Sequence, residues 1–170
     1  MTMKRIAFHT LGCKLNQYET DAMASDFKRK GYDIVPFDQE ADCYVVNSCT
    51  VTNKADRKSR NAVNKALRQA GTRLFAPGPD GDAIVVVTGC FAESNKAELL
   101  AGPATYVVDN RRKSRLLSVV DAHFRGEMVD PEGLDPAIFD YRTPERLFHT
   151  RTTLKVQDGC DNFCTFCIIP

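Results

Sequence analysis

The sequence predicts an α/β fold, a mostly parallel sheet with helices on both faces, and three observations carry that expectation. β-leaning apolar runs alternate with helix-patterned stretches through the first 126 residues, the signature of strand–helix–strand units. The run from Ala83 to Val87 is apolar at consecutive positions, as in a strand covered on both faces. Capping and turn residues such as Asn16, Gly31, Asn53 and Gly71 fall between the runs, where chain direction must change.

Taken in order, Lys4 to Leu11 is a strand, followed by Gly12-Cys13 and by Asn16 as N-cap with Glu19 three residues on, in the manner of a capping box. A helix is expected from Gln17 to Lys30, with Met23 and Phe27 as its buried stripe and Gly31 as its left-handed end. Tyr32 to Phe37 and Asp42 to Asn47 are strands, the second ending just before Cys49. Thr52 or Asn53 caps a helix from Lys54 to Ala70, closed by Gly71. Residues 71–82, rich in glycine and proline, read as a loop before the strand Ala83 to Thr88, and Cys90 follows directly. A short helix Asn95 to Leu100, a strand Thr105 to Val108 and a helix from about Arg111 to Phe124 complete the alternation.

From Gly126 the pattern stops. The expected organisation is a domain over 1–126, a linker over 127–150 marked by Pro131, Pro136 and Pro144, and the start of a second domain over 151–170. There Thr153 to Val156 could add a strand, and the segment from about Arg151 onward should be poorly packed.

Composition narrows the class. With 43% hydrophobic and 26% charged residues in 170, the chain matches folded globular proteins. Its formal charge of +1 means that any nucleic-acid contact must rest on a local patch. No apolar run is long enough to cross a bilayer, and the N-terminus leads into a strand pattern, so a cytoplasmic protein is expected.

Seven cysteines are the anomaly. An odd number without a secretion signal points to metal or catalysis before disulfides. Cys13, Cys49 and Cys90 are spaced widely, each just after an expected strand. In a parallel sheet those positions share one edge, the carboxyl ends of the strands, where ligands bind and helix N-termini favour thiolates. Taken singly, each could equally be a small buried hydrophobe. Cys43, near the start of a strand, is read as structural.

Cys160, Cys164 and Cys167 form one C-x3-C-x2-C run. Three thiolates on a short loop can hold three corners of a cubic iron–sulfur cluster, leaving the fourth iron open to a small molecule. Zinc is a rival, but a structural zinc site wants four ligands. A dithiol redox motif is another. His9, His123 and His149 have no ligand spacing.

These residues resemble the radical S-adenosylmethionine methylthiotransferases. Thr10-Leu-Gly-Cys-Lys-Leu-Asn-Gln-Tyr-Glu-Thr20, Asn47-Ser-Cys-Thr-Val-Thr52, Ala55-Asp56, Lys58-Ser59-Arg60, Val87-Thr-Gly-Cys90 and Val156-Gln-Asp-Gly-Cys160 through Ile168-Ile169-Pro170 resemble the branch that modifies N6-threonylcarbamoyladenosine next to the tRNA anticodon. The resemblance implies two 4Fe–4S clusters, one on Cys13, Cys49 and Cys90 and one on Cys160, Cys164 and Cys167 with S-adenosylmethionine at its open iron. It implies radical thiomethylation of the adenine C2, which lacks an acidic proton for ordinary base catalysis. No side chain is assigned as catalytic. Phe166 matches the aromatic position beside the cofactor's adenine, and a simple packing role remains open for it. A reductant such as a flavodoxin or ferredoxin and a sulfur donor are also implied, neither identified by the sequence. A radical barrel needs on the order of 200 residues or more, so this chain is expected to be an N-terminal part, inactive alone. The alternatives are a non-catalytic iron–sulfur or zinc-binding module, and a plain domain with incidental thiols.

On the helix from Lys54, Lys54, Arg57, Lys58, Lys65 and Arg68 fall within an arc of about 100°. They form a candidate phosphate-contacting stripe for tRNA, or the solvated face of an ordinary surface helix.

Overall fold

The computed structural model describes residues 3–74, 83–102, 104–142, 144 and 153–167. Five parallel strands form one sheet: β1 (Arg5–Thr10), β2 (Asp33–Val35), β3 (Cys43–Ser48), β4 (Ile84–Gly89) and β5 (Tyr106–Val108), in the order β2-β1-β3-β4-β5. Helices α1 (Lys14–Lys30), α2 (Asn53–Leu74), α3 (Cys90–Ser94), α4 (Lys96–Ala101) and α5 (Leu116–Phe124) connect or follow them. The expected α/β class with helices on both faces is what the chain adopts.

Two apolar layers explain why. On one face Ala7, Tyr44, Val46, Val85, Val87 and Val107 meet Ala62, Val63, Ala66 and Ala70 of α2 and Phe91 of α3. On the other, Ile6, Cys43, Val45, Val86 and Val108 meet Met23 and Phe27 of α1 and Leu116, Val119 and Val120 of α5. Successive strand residues point to opposite faces, and both faces are covered, so β3 and β4 are buried at every position. The chain leaves β1 toward one edge and β3 toward the other. Right-handed crossovers in opposite directions place α1 and α2 on opposite faces.

Strand ends differ from the sequence expectation by a residue or two, while several helix ends differ for physical reasons. α1 starts at Lys14, with extended Cys13 as its N-cap, so Asn16 lies inside the helix and makes no cap. Its other end is as expected: Gly31 at φ +99° donates to the Lys28 carbonyl, and Tyr32 N–H reaches Phe27 O at 3.0 Å. Thr52 caps α2 through a 3.1 Å bond from Ala55 N–H. Gly71 does not close α2, which runs on to Leu74. Residues 75–82 of the expected loop lie outside the described residues. α3 has no counterpart among the expected helices, because five residues beginning with Cys90 are too few for a periodic pattern. The last helix opens with a 3-10 turn, Lys113–Arg115, before α5.

Residues 127–142 hold one 3-10 turn, Pro131–Gly133, and are tied to the sheet domain by polar bonds. Ala137 N–H donates to Arg111 O at 2.7 Å, Arg112 Nε to Leu134 O at 2.6 Å, and Ser114 Oγ to Ala137 O at 2.7 Å. Thr153 to Val156 form no strand, contrary to expectation. A strand exists only against a partner, and no described strand lies alongside to pair with it. Leu154, Val156, Phe163 and Phe166 are exposed, yet the Lys155 side chain is 2% exposed. Among the described residues no helix is long and apolar enough to cross a membrane.

Candidate iron–sulfur site at the carboxyl edge of the sheet

The sheet order reverses between β1 and β3, and in open α/β sheets ligands bind outside the carboxyl ends of the strands at such a crevice. Cys13 follows β1, Cys49 follows β3 and Cys90 follows β4, so three neighbouring strands deliver three cysteines to one edge. Cys13 is exposed, Cys90 half-buried and Cys49 buried, and all are free thiols.

Short-range polar bonds fix the three turns to one another. Asn16 Nδ2 donates to Leu11 O at 2.8 Å and to Ser48 O at 3.0 Å, joining the Cys13 and Cys49 turns. Asn47 Nδ2 donates back to Asn16 O and to Thr20 Oγ1, both at 3.0 Å. Ser48 Oγ donates to Thr88 O and accepts from Ala92 N–H at 3.2 Å, joining the Cys49 and Cys90 turns. Buried Ser59 of α2 clamps Cys49 itself, accepting its N–H at 3.0 Å and donating to its carbonyl at 2.7 Å.

Two glycines make room. A Cβ on Gly12 (φ +106°) would stand 2.7 Å from the Cβ and 2.8 Å from the Sγ of Cys49. One on Gly89 (φ +94°) would stand 2.2 Å from Ser48 O. Only glycine combines that backbone conformation with that clearance.

Burial pushes the Cys90 thiol pKa above its ordinary value. Lys113 opposes that shift, and charge on Cys49, Cys13 and Glu19 adds to it, so all five groups lie within electrostatic reach. Lys113 is buried and pairs with Glu19 at 2.6 Å. The thiols and the neighbouring ammonium suit an anionic sulfur-ligated cluster. No three His, Cys, Asp or Glu side chains among the described residues are placed to hold a metal ion, so the thiols are gathered at one edge without closing on one point.

Cys160, Cys164 and Cys167 lie on an exposed turn, with Cys167 N–H bonded to Cys164 O at 3.0 Å and Phe163 at φ +47°. Phe166 is 92% exposed. Cys43 is fully buried, its thiol pKa raised by burial and by Asp42. His9 stacks near Phe37 and His123 meets Tyr106 Oη at 2.9 Å, while His149 lies outside the described residues.

On α2, Lys54, Arg57, Lys58, Lys65 and Arg68 are all exposed. Lys65 pairs with Asp38, whereas Lys54, Arg57 and Lys58 lie toward the end of α2 that follows Cys49. The structure adds Asn16, Ser59, Lys113 and Lys155 to the functional residues that sequence patterns single out. Their contacts depend on partners elsewhere in the chain; the quoted resemblances include Asn16 and Ser59, whereas no sequence pattern points to Lys113 or Lys155.

A family model described as "Uncharacterized protein family UPF0004" matches residues 5–109. The chain is 43% identical over 99% of its length to "Threonylcarbamoyladenosine tRNA methylthiotransferase MtaB" of Bacillus subtilis, covering 36% of that protein. It is 39% identical over 98% to the protein of the same name in Aquifex aeolicus, covering 39%. It is 28% identical over 98% to "tRNA-2-methylthio-N(6)-dimethylallyladenosine synthase" of Pseudothermotoga lettingae, covering 37%. The chain thus spans a little over a third of the length of these relatives. Matched over most of its sheet domain and alike to the N-terminal part of such enzymes, the chain belongs to the UPF0004 family, the N-terminal domain of the methylthiotransferases.

Proposed function

We propose that this chain is the N-terminal part of a tRNA methylthiotransferase that adds a methylthio group to C2 of N6-threonylcarbamoyladenosine next to the anticodon. The observation that carries this reading is the placement of Cys13, Cys49 and Cys90 at the ends of β1, β3 and β4, in a chain 43% identical to a relative named for that reaction. Cys13, Cys49 and Cys90 would hold one 4Fe–4S cluster, and Cys160, Cys164 and Cys167 a second, with S-adenosylmethionine beside Phe166. Bound there, the clusters and S-adenosylmethionine supply sulfur and radical chemistry that no side chain of this chain can supply.

The chain's own residues have definable tasks. Asn16, Ser48 and Ser59 hold the cysteine turns in register, so the backbone of each turn is tied in place for the thiols to close on a cluster. Lys113 offsets negative charge gathered near Cys90. Lys54, Arg57 and Lys58 offer phosphate contacts beside the Cys49 turn. A flavodoxin or ferredoxin would deliver electrons, and a separate donor would renew the sulfur.

Deleting the gene that encodes this chain should remove 2-methylthio-N6-threonylcarbamoyladenosine from tRNA hydrolysates and leave the unthiolated nucleoside, as read by mass spectrometry. Loss of the methylthio-isopentenyl nucleoside in its place would assign the chain to the other tRNA branch. No change in either nucleoside would overturn the reading.

A further inference from the structure

A polar chain, buried from Asn16 through Lys113 and Glu19 to the Lys155 side chain and ending at half-exposed Asp158, links the two cysteine sets. Ser48 O, next to Cys49, accepts from Asn16 Nδ2 at 3.0 Å; Asn16 Oδ1 accepts from Lys113 Nζ at 3.5 Å; Lys113 Nζ pairs with Glu19 Oε2 at 2.6 Å. The other oxygen of the same carboxylate accepts from Lys155 Nζ at 2.8 Å, and Lys155 Nζ reaches Asp158 Oδ2 at 2.5 Å, two residues before Cys160. Lys155 also donates to Ile138 O at 2.8 Å, and its ammonium lies over the rings of Phe139 at 5.3 Å and Tyr141 at 5.1 Å. The side chains of Glu19, Lys113 and Lys155 are each 2% exposed.

We propose that Glu19, the Ile138 carbonyl, Phe139 and Tyr141 form a cation socket on the sheet domain whose occupant is Lys155, which fastens the segment bearing Cys160 to the domain bearing Cys13, Cys49 and Cys90. Charge balance supports that occupant. Glu19 and Asp158 face Lys113 and Lys155, two carboxylates against two ammonium groups, so no buried charge is left unpaired. A carbonyl, a carboxylate and two ring faces together suit an ammonium group. Among the described residues of the segment Leu154, Val156, Phe163 and Phe166 are exposed, while the Lys155 side chain is buried against Glu19. The socket is a property of the chain without iron. Its consequence, a set separation between the two cysteine groups, rests on the function proposed above.

Lysine footprinting by reductive methylation of the purified chain tests the socket without iron or tRNA. Lys155 should be modified at least about tenfold more slowly than exposed Lys54 and Lys58, because its reaction requires local opening. In Glu19→Gln and in Asp158→Asn its rate should rise toward theirs. Unreactive Cys43, fully buried in the sheet, reports in the same samples that the domain is folded. Should Glu19→Gln fail to fold, Asp158→Asn, whose carboxylate lies outside the sheet domain, carries the comparison. Modification of Lys155 as fast as Lys54 in the unaltered chain, or an unchanged rate in folded variants, would overturn the proposal. Neither result would touch the cluster reading, since no thiol takes part.

Discussion

The two glycines beside the cysteines show most plainly how single residues shape the site. At Gly89 an added Cβ meets the Ser48 carbonyl, backbone that cannot swing aside, in a left-handed conformation that already strains any L side chain. Gly89→Ala should lower unfolding free energy by about 2 kcal/mol or more in denaturant titrations. At Gly12 the obstacle is the Cys49 side chain itself, so Gly12→Ala should reduce iron uptake while circular dichroism shows the helices retained. Thiol reactivity offers a separate check. Exposed Cys13, Cys164 and Cys167 should alkylate first and buried Cys49 and Cys43 last. Cys90 should need a higher pH than an unhindered thiol, because its raised pKa leaves less thiolate at neutral pH. Iodoacetamide labelling read by mass spectrometry across pH would show Cys90 lagging. The position of each cysteine after a strand was legible in the sequence, but not the work of Asn16. An amide shortly after a strand resembles a helix cap, and only carbonyls at Leu11 and Ser48, the latter 32 residues away, make it a buried tie.

At the scale of elements, α2 joins two tasks. Its inward face carries Ser59, whose hydroxyl satisfies both backbone groups of Cys49. Ser59→Ala leaves a buried N–H unpaired and should cost about 1–3 kcal/mol of stability, measured by denaturant unfolding. Its outward face carries Lys54, Arg57 and Lys58. Replacing these three by alanine should weaken tRNA binding across sequences and flatten its salt dependence by roughly 0.7–0.9 in logarithmic slope for each phosphate that is no longer neutralised. A binding curve whose salt dependence stays the same would mark α2 as an ordinary solvated helix. The existence of α1, α2 and α5 could be read from periodicity, and so could the ends of α1 at Lys30 and of α5 at Phe124, whereas the start of α1 and the end of α2 could not. Gly71 has the residue type of a helix stop, but α2 continues through it to Leu74. α3 is recruited by packing of Phe91 and by Ser48 Oγ at Ala92 N–H, neither visible in a five-residue stretch.

For the whole molecule, the alternation of strand and helix pointed to the parallel sheet, because connections between parallel strands need a crossover. The strand order was not legible. It fixes that β1, β3 and β4 are neighbours, and so that three cysteines far apart in the chain reach one edge. The attachment of the segment after residue 152 was equally hidden, since it depends on one lysine entering a socket built from α1 and residues 138–141. Burial alone would lower the Lys155 pKa; its bonds and charges with Asp158 and Glu19 outweigh that and raise it above the ordinary lysine value. The docked state therefore gains its full benefit below the ordinary lysine range and loses it as pH rises through the raised value. A thermal-stability difference between the unaltered chain and Lys155→Met should hold through neutral pH and vanish in strong alkali. The convergence of Cys13, Cys49 and Cys90 on a cluster is best judged by iron and acid-labile sulfide per chain after anaerobic reconstitution, in the unaltered chain and in its Cys13/Cys49/Cys90→Ala triple variant. The triple variant should lose the more stable half of the bound iron, leaving a labile remainder on Cys160, Cys164 and Cys167; equal iron and sulfide in the two would contradict a cluster at the carboxyl edge of this sheet.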